Sequence, residues 1–380
     1  MRVSIRDRES LLAIPPLEVV AYLRAGGWNQ EKYHAGKYGV WTRQDGDGQS
    51  YEIAIPLSNE SPDFIQRVAE ALATLESIEK RGQQEIYRDL QTTSSDVIRL
   101  RIGNGELASG DIPFEEGAQV IERAKELLVS AACAAVQPKK VIPKRKPDQA
   151  LEYMRKLRLG QTERGSYVVT IHSRVPPQLG QIDFAAPEPY ERKVTSVLGQ
   201  SLVAAKSAAE SATASGTLKA FEDAIPLGVS ANFCESLAGL CDFGEIRRRL
   251  EVGLTWARSR PATATAPSAV TFSPDCVQVF SEVARVFKDT TPQEDFQLFG
   301  PVIELKRLES AQNGRVTVLG IVGEKPLRIV MEFGDSDYQL ATKAHSERLP
   351  VRCSGILVRD GKSYSLRNPT NLSLAESGES

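Results

Sequence analysis

Several residue types are scarce in this chain of 380 residues, and each scarcity excludes something. There are three histidines, His34, His172 and His345, far apart in sequence. None stands three or four positions from another histidine or a cysteine, so no local metal-ligand spacing exists and no metal site is expected. The five cysteines (Cys133, Cys234, Cys241, Cys276 and Cys353) are odd in number and widely scattered, without a CxxC pair. That pattern excludes a disulfide framework. Long apolar runs are missing too. The longest apolar-rich stretch, Leu127 to Val136, is far below the roughly 20 residues a bilayer span needs. Charges at Arg2, Arg6, Asp7, Arg8 and Glu9 interrupt the start, so no secretory leader is expected and the expected location is cytoplasmic. Net charge is also lacking: 47 Lys+Arg stand against 49 Asp+Glu.

What is present has ordinary globular composition, 41% hydrophobic and 25% charged, enough for two or three domains. Strand runs and helix runs mix without strict alternation, which predicts an α+β, multidomain chain. Residues 1–92 read as a small helix–hairpin–helix unit. LEVVAYLRA is a helix stopped by Gly26-Gly27, and YGVWTR and SYEIAIPL form a hairpin around QDGDGQ. Ser61-Pro62-Asp63 then opens a second helix, with Ser61 as its cap. Residues 93–293 read as a larger central α+β domain. Its strands are VIRLRI, SYVVTIHS, RLEVGLTWA and SAVTFS, and its helices include PYERKVTSVLGQSLVAAKSAAES. Ser230 reads as a helix cap, and Cys234 and Cys241 as core residues on one helix face.

From residue 294 to 374 the pattern is sharper. FQLFGPVIELKRL, GRVTVLGIV and LRIVMEF are strand-length runs. DSDYQLATKAHSER is a helix, and VRCSGILVR and KSYSLRNP are two further strands around Asp360-Gly361, a strong hairpin signal. Three strands, one helix and two strands, with Gly300, Gly320 and Gly355 inside strands, resemble the five-stranded OB fold, a small β-barrel. An SH3-like barrel and an open sheet fit the same element count. The resemblance implies ligand contact across the second and third strands, where Arg315 and Arg328 stand. The segment 296–380 holds eleven Lys/Arg and ten Asp/Glu and few aromatics on those strands, so a protein partner fits it as well as an oligonucleotide. Residues 375–380 form a polar tail.

Charge is concentrated elsewhere. Between Lys139 and Arg164 there are nine Lys/Arg and three Asp/Glu. Lys139, Lys140, Lys144, Arg145, Lys146, Arg155, Lys156 and Arg158 form a Pro-broken connector able to neutralise phosphates, which makes nucleic acid a candidate partner. A solvated, self-repelling loop is the alternative.

Catalytic signatures are incomplete. GVSANFCES lacks the second glycine and the preceding strand of a nucleophile elbow. GNGELASGD lacks the Lys-Ser/Thr of a phosphate loop. The catalytic candidates are Glu163, Arg164 and His172, in and beside the strand SYVVTIHS: Glu163 as base and Arg164 as anion holder, in a hydrolase-type site. No cofactor motif is present. The expected function is a non-catalytic binding or adaptor protein contacting nucleic acid or a protein partner. A hydrolase-type enzyme and a structural subunit of an assembly are the alternatives. Trp28, Trp41 and Trp256 read as core anchors, with Trp41 open to a second role as an exposed anchor.

Overall fold

The structure, a computed structural model, describes residues 5–34, 37–44, 46, 48–103, 112–160, 167–176, 188–244, 246–262, 266–307, 312–322, 325–360 and 363–374. The chain is mixed helix and strand and divides into two compact units. The first comprises residues 1–139, 147–229 and 233–280; the second comprises 140–146, 230–232 and 281–380.

The first unit begins with helices α1 (Arg8–Leu12) and α2 (Pro16–Ala25). Asp7 caps α1 by accepting from the Ser10 N–H at 2.8 Å. Gly26-Gly27 end α2, and Gly27 adopts φ +75°, a conformation glycine takes without steric cost. Strands β1 (Asn29–His34), β2 (Tyr38–Gln44) and β3 (Ser50–Pro56) form an antiparallel sheet in that order. Helices α3 (Phe64–Glu79) and α4 (Gln83–Thr92) follow. The helix expected to open on Ser61 starts at Phe64 instead. Ser61 Oγ donates to the Asp63 carboxylate at 2.8 Å, which uses its hydroxyl locally and leaves it off the helix N–H groups. Leu11, Tyr22, Leu23, Trp28, Trp41, Phe64 and Leu72 share one core. Trp41 is buried, so its reading as an exposed anchor is corrected.

The same unit holds a five-stranded sheet in the order β10-β9-β4-β6-β5, antiparallel throughout. Its strands are β4 (Ser95–Ile102), β5 (Arg158–Leu159), β6 (Tyr167–Arg174), β9 (Leu250–Thr255) and β10 (Ala269–Phe272). The helices are α5 (Phe114–Val136), α6 (Asp148–Lys156), α7 (Tyr190–Ser215), α8 (Lys219–Asp223) and α9 (Ala231–Cys241), the last from Phe233 onward in this unit; a two-strand ladder joins β7 (Asp242–Phe243) to β8 (Ile246–Arg247). Helix α10 (Cys276–Thr290) contains the boundary between the units.

One face of this sheet is fixed by a buried ion pair. Asp96 on β4 accepts from Arg192 Nε at 3.0 Å and Nη2 at 2.9 Å, from the Thr195 hydroxyl at 2.5 Å and from the Ala257 N–H at 2.8 Å. The Arg192 guanidinium also donates to the Arg260 carbonyl. Alternation along β4 puts Ile98 and Leu100 on the Asp96 face, and both are buried. Their cross-strand partners are Ile171 and Val169. Farther along, Ser173 accepts from the Tyr153 hydroxyl of α6 at 3.1 Å.

The second unit is built around a closed barrel of β11 (Gln293–Lys306), β12 (Gly314–Val322), β13 (Lys325–Phe333), β14 (Pro350–Asp360) and β15 (Ser363–Leu374), in the order β11-β12-β13-β15-β14. The β13–β15 pairing is parallel and the other pairings are antiparallel. Leu298, Val316, Val318, Ile329, Met331, Phe333, Val351 and Cys353 fill the interior. Helix α11 (Asp335–Glu347), between the third and fourth strands, adds Ala341 and Ala344 to that core. Its His345 Nδ1–H donates to the Val302 carbonyl at 2.8 Å. At Gly300 a Cβ would overlap the Leu319 carbonyl oxygen, and at Gly320 it would meet the Leu298 side chain. Glycine at these places lets the wall close.

Candidate functional site

The basic connector is an ordered segment whose cations have unequal surroundings. In the second unit, the Lys140 carbonyl accepts from the Ala231 N–H at 2.9 Å, and the Ile142 N–H donates to Asn232 Oδ1 at 3.0 Å. These bonds tie residues 140–142 to a segment 90 positions away in sequence. Lys140 Nζ lies 4.7 Å from the Phe287 ring centroid, a cation–π contact. Lys144 and Arg145 are exposed and Lys146 is half-buried; among the described residues all three are without an ion pair.

In the first unit, Lys139 and Arg155 are likewise exposed and unpaired among the described residues. Lys156 meets Glu152 at 3.0 Å and Glu191 at 3.3 Å. Its bond to Glu152, then that to Glu191, push its pKa above the ordinary lysine value. Arg158 donates to the carbonyls of Arg155 and Leu157, both at 3.1 Å. Of the eight connector cations, Lys140, Lys156 and Arg158 are thus engaged within the fold.

Of the catalytic candidates, Glu163 and Arg164 lie outside the described residues, as do the loop residues 104–111. His172 is half-buried on β6, on the sheet face opposite Asp96. Its neighbours in register are Val97 on β4 and Arg158 on β5. Burial first, and then the charge of Arg99, hold the His172 pKa below its ordinary 6.5 and favour the neutral imidazole. Thr170 follows the same alternation, and its hydroxyl is buried without a hydrogen-bond partner among the described residues. Among the described residues His172 has no carboxylate to orient it, so they do not assemble the base–orienter pair that acid–base catalysis uses. Burial also pushes the Asp96 carboxyl up, against Arg192, Thr195 and the Ala257 N–H, which favour its charged form. All of its partners belong to the fold itself.

Among the described residues no group of three or more His, Cys, Asp or Glu side chains could hold a metal ion. Cys234 and Cys241 are buried, and burial raises both thiols, Cys241 to about 12. That fits their reading as core residues. A shallow cleft on the N-terminal sheet, about 410 Å³, is lined by Glu31, Tyr38, Val40, Glu52, Asp63 and Arg67 among others. No helix among the described residues is long and apolar enough to cross a membrane.

On the barrel, Arg315 and Arg328 are both exposed. Arg315 faces Glu332 in register on the neighbouring strand, at 3.6 Å, and Arg328 faces Leu319. Sequence reasoning missed Phe299 and Ile321, which are exposed beside them, and Arg352, whose guanidinium lies 5.9 Å from the Phe299 ring centroid. The available signal was in β12, which is apolar at successive positions and so on both faces. No family model, curated protein or solved structure matches this chain.

Proposed function

We propose that the chain is a non-catalytic binding protein whose barrel-bearing unit engages single-stranded nucleic acid. The observation that carries this is the trio Lys144, Arg145 and Lys146 in the same unit as the barrel, the first two exposed and Lys146 half-buried, none with an ion pair among the described residues. That unit holds seventeen Lys/Arg against fourteen Asp/Glu, while the rest of the chain holds thirty against thirty-five. The excess positive charge therefore accompanies the barrel. The strand order, the parallel β13–β15 closure and the helix before β14 also support an OB-like reading, and OB folds bind oligonucleotides across their second and third strands. The division of the chain near residues 92 and 293 belongs to the same proposal.

The test is fluorescence anisotropy with labelled single-stranded DNA, single-stranded RNA and duplex DNA at two salt concentrations. Charge-driven binding weakens steeply with salt, by a slope of about 0.7 per neutralised phosphate on a single strand. Replacing Lys144, Arg145 and Lys146 by Glu should abolish binding at moderate salt. The milder triple change to Gln should lower the salt slope by about 2. No binding at low salt, or binding indifferent to both variants, would refute the proposal.

A further inference from the structure

The outer wall of the barrel carries three exposed apolar side chains on adjoining strands. Phe299 on β11 is 47% exposed, and Leu319 and Ile321 on β12 are 38% and 67% exposed. Leu319 and Ile321 stand two apart on one strand, so they project from the same side. Gly300 packs against the main chain of Leu319, which sets Phe299 beside them. Val316 and Val318 of β12 fill the interior, so the core accounts for those residues and not for the outward pair. Single exposed apolar residues are common; a contiguous group marks a contact surface.

Among the described residues, the charged side chains in register with this group are both positive. Arg328 is in register with Leu319, and Arg352 is in register with Phe299. Glu332 is held by Arg315; Glu304, in register with Thr317, is on the same face but two positions along β12 from Leu319, outside the pair of arginines that flank the group. Glu294 and Asp295 stand four residues or more from Phe299 along β11. An apolar segment docking here meets two guanidinium groups at its margin, so an acidic segment is favoured and a basic one repelled. Phenylalanine and arginine are also enriched where protein interfaces bury most. Because the barrel is closed, a partner has no free strand edge to extend and must be held by side chains.

We propose that this wall docks an acidic peptide segment bearing apolar side chains, presented by a protein partner. This wall shares β12 and Arg328 with the strand face cited for an oligonucleotide, but it excludes the connector trio and goes beyond the nucleic-acid reading. The experiment is selection of a displayed library of random 12-residue peptides against the full chain, followed by anisotropy with the synthesised winners. The expected outcome is enrichment of Asp/Glu together with Leu, Ile or Phe. Binding should fall about tenfold or more in Phe299→Ala, in Ile321→Ser and in the double variant Arg328→Glu/Arg352→Glu. It should be unchanged when Lys144, Arg145 and Lys146 are replaced by Glu, which separates this proposal from the nucleic-acid one. All four substituted side chains point outward, and circular dichroism with thermal melting confirms folding; if Phe299→Ala fails to fold, Ile321→Ser and the arginine variant carry the test. No enriched peptide, winners without acidic excess, or winners insensitive to the wall variants would overturn the proposal. So would a single-stranded oligonucleotide whose binding is lost in the wall variants while the acidic peptide's is retained. Concentration-dependent dimerisation abolished by Ile321→Ser would make the occupant a second copy and overturn it too.

Discussion

Replacing Asp96 by Ala should destabilise the first unit by about 3–5 kcal/mol, the usual cost of removing one partner of a buried ion pair. Arg192 is 3% exposed and Asp96 1%, so water cannot replace the lost carboxylate. The consequences differ among its four donors. Thr195 retains the Arg192 carbonyl as an acceptor at 3.0 Å, and Arg192 retains the Arg260 carbonyl and the face of Trp256 at 5.3 Å. The Ala257 N–H has no substitute acceptor on the side chain that replaces Asp96, and an orphaned buried donor costs about 1–3 kcal/mol. These losses overlap, which keeps the total within the stated range. All three tryptophans, Trp28, Trp41 and Trp256, lie in the first unit, so tryptophan fluorescence during urea unfolding follows that unit alone. With a slope of about 2–3 kcal/mol per molar urea, the midpoint should fall by about 1–2.5 M. The double variant Asp96→Leu/Arg192→Met should recover the part of the loss due to the uncompensated guanidinium, because removing both charges removes the desolvation cost with the attraction, while the Ala257 N–H stays orphaned. A loss below about 1 kcal/mol for Asp96→Ala, or a double variant worse than the sum of the singles, would refute the reasoning.

Two further outcomes follow from the geometry. Gly300→Ala should cost about 3 kcal/mol, because its Cβ meets main chain that no rotamer change can move, whereas Gly320→Ala meets a leucine side chain that can turn and should cost about 1–2 kcal/mol. Amide hydrogen exchange in β11 to β15 checks this, and equal or reversed costs would contradict the close crossing at Gly300. His172 has a folded pKa below its unfolded value, so the folded state binds fewer protons. Its contribution is therefore intact above the unfolded pKa near 6.5 and is lost as pH falls from there toward the folded pKa. His172→Gln should flatten the decline in stability between pH 7 and 5.5, and an unchanged decline would mean that other groups cause it.

The sequence made the barrel's element order readable because its strands are long and punctuated by glycine, with Asp360-Gly361 marking the last hairpin. The sheet strands β4, β6, β9 and β10 were readable from β-branched runs such as Tyr167 to Thr170. Strand β1, with the sequence NQEKYH, was not readable, since an edge strand of polar residues carries no apolar period. Helix α4 was also missed; its buried apolar anchors are only Ile86 and Leu90. In the connector, composition located the positive charge but not its availability. Glu191 neutralises Lys156 from 35 positions away, and Asn232 fixes Ile142 from 90 away, neither of which local spacing reveals.

The position of β4 in its sheet constrains how the chain is made. One flank pairs with β6 and the other with β9, where Val97 meets Thr255. On a ribosome adding about 5–20 residues per second, β9 emerges about 8–30 s after β4. For that interval the nascent β4 offers an unpaired flank rich in valine, isoleucine and leucine, a template for adventitious pairing. Slowing translation between codons 103 and 250 should therefore raise the yield of aggregated nascent chain, and a chaperone that covers strand flanks should reverse it.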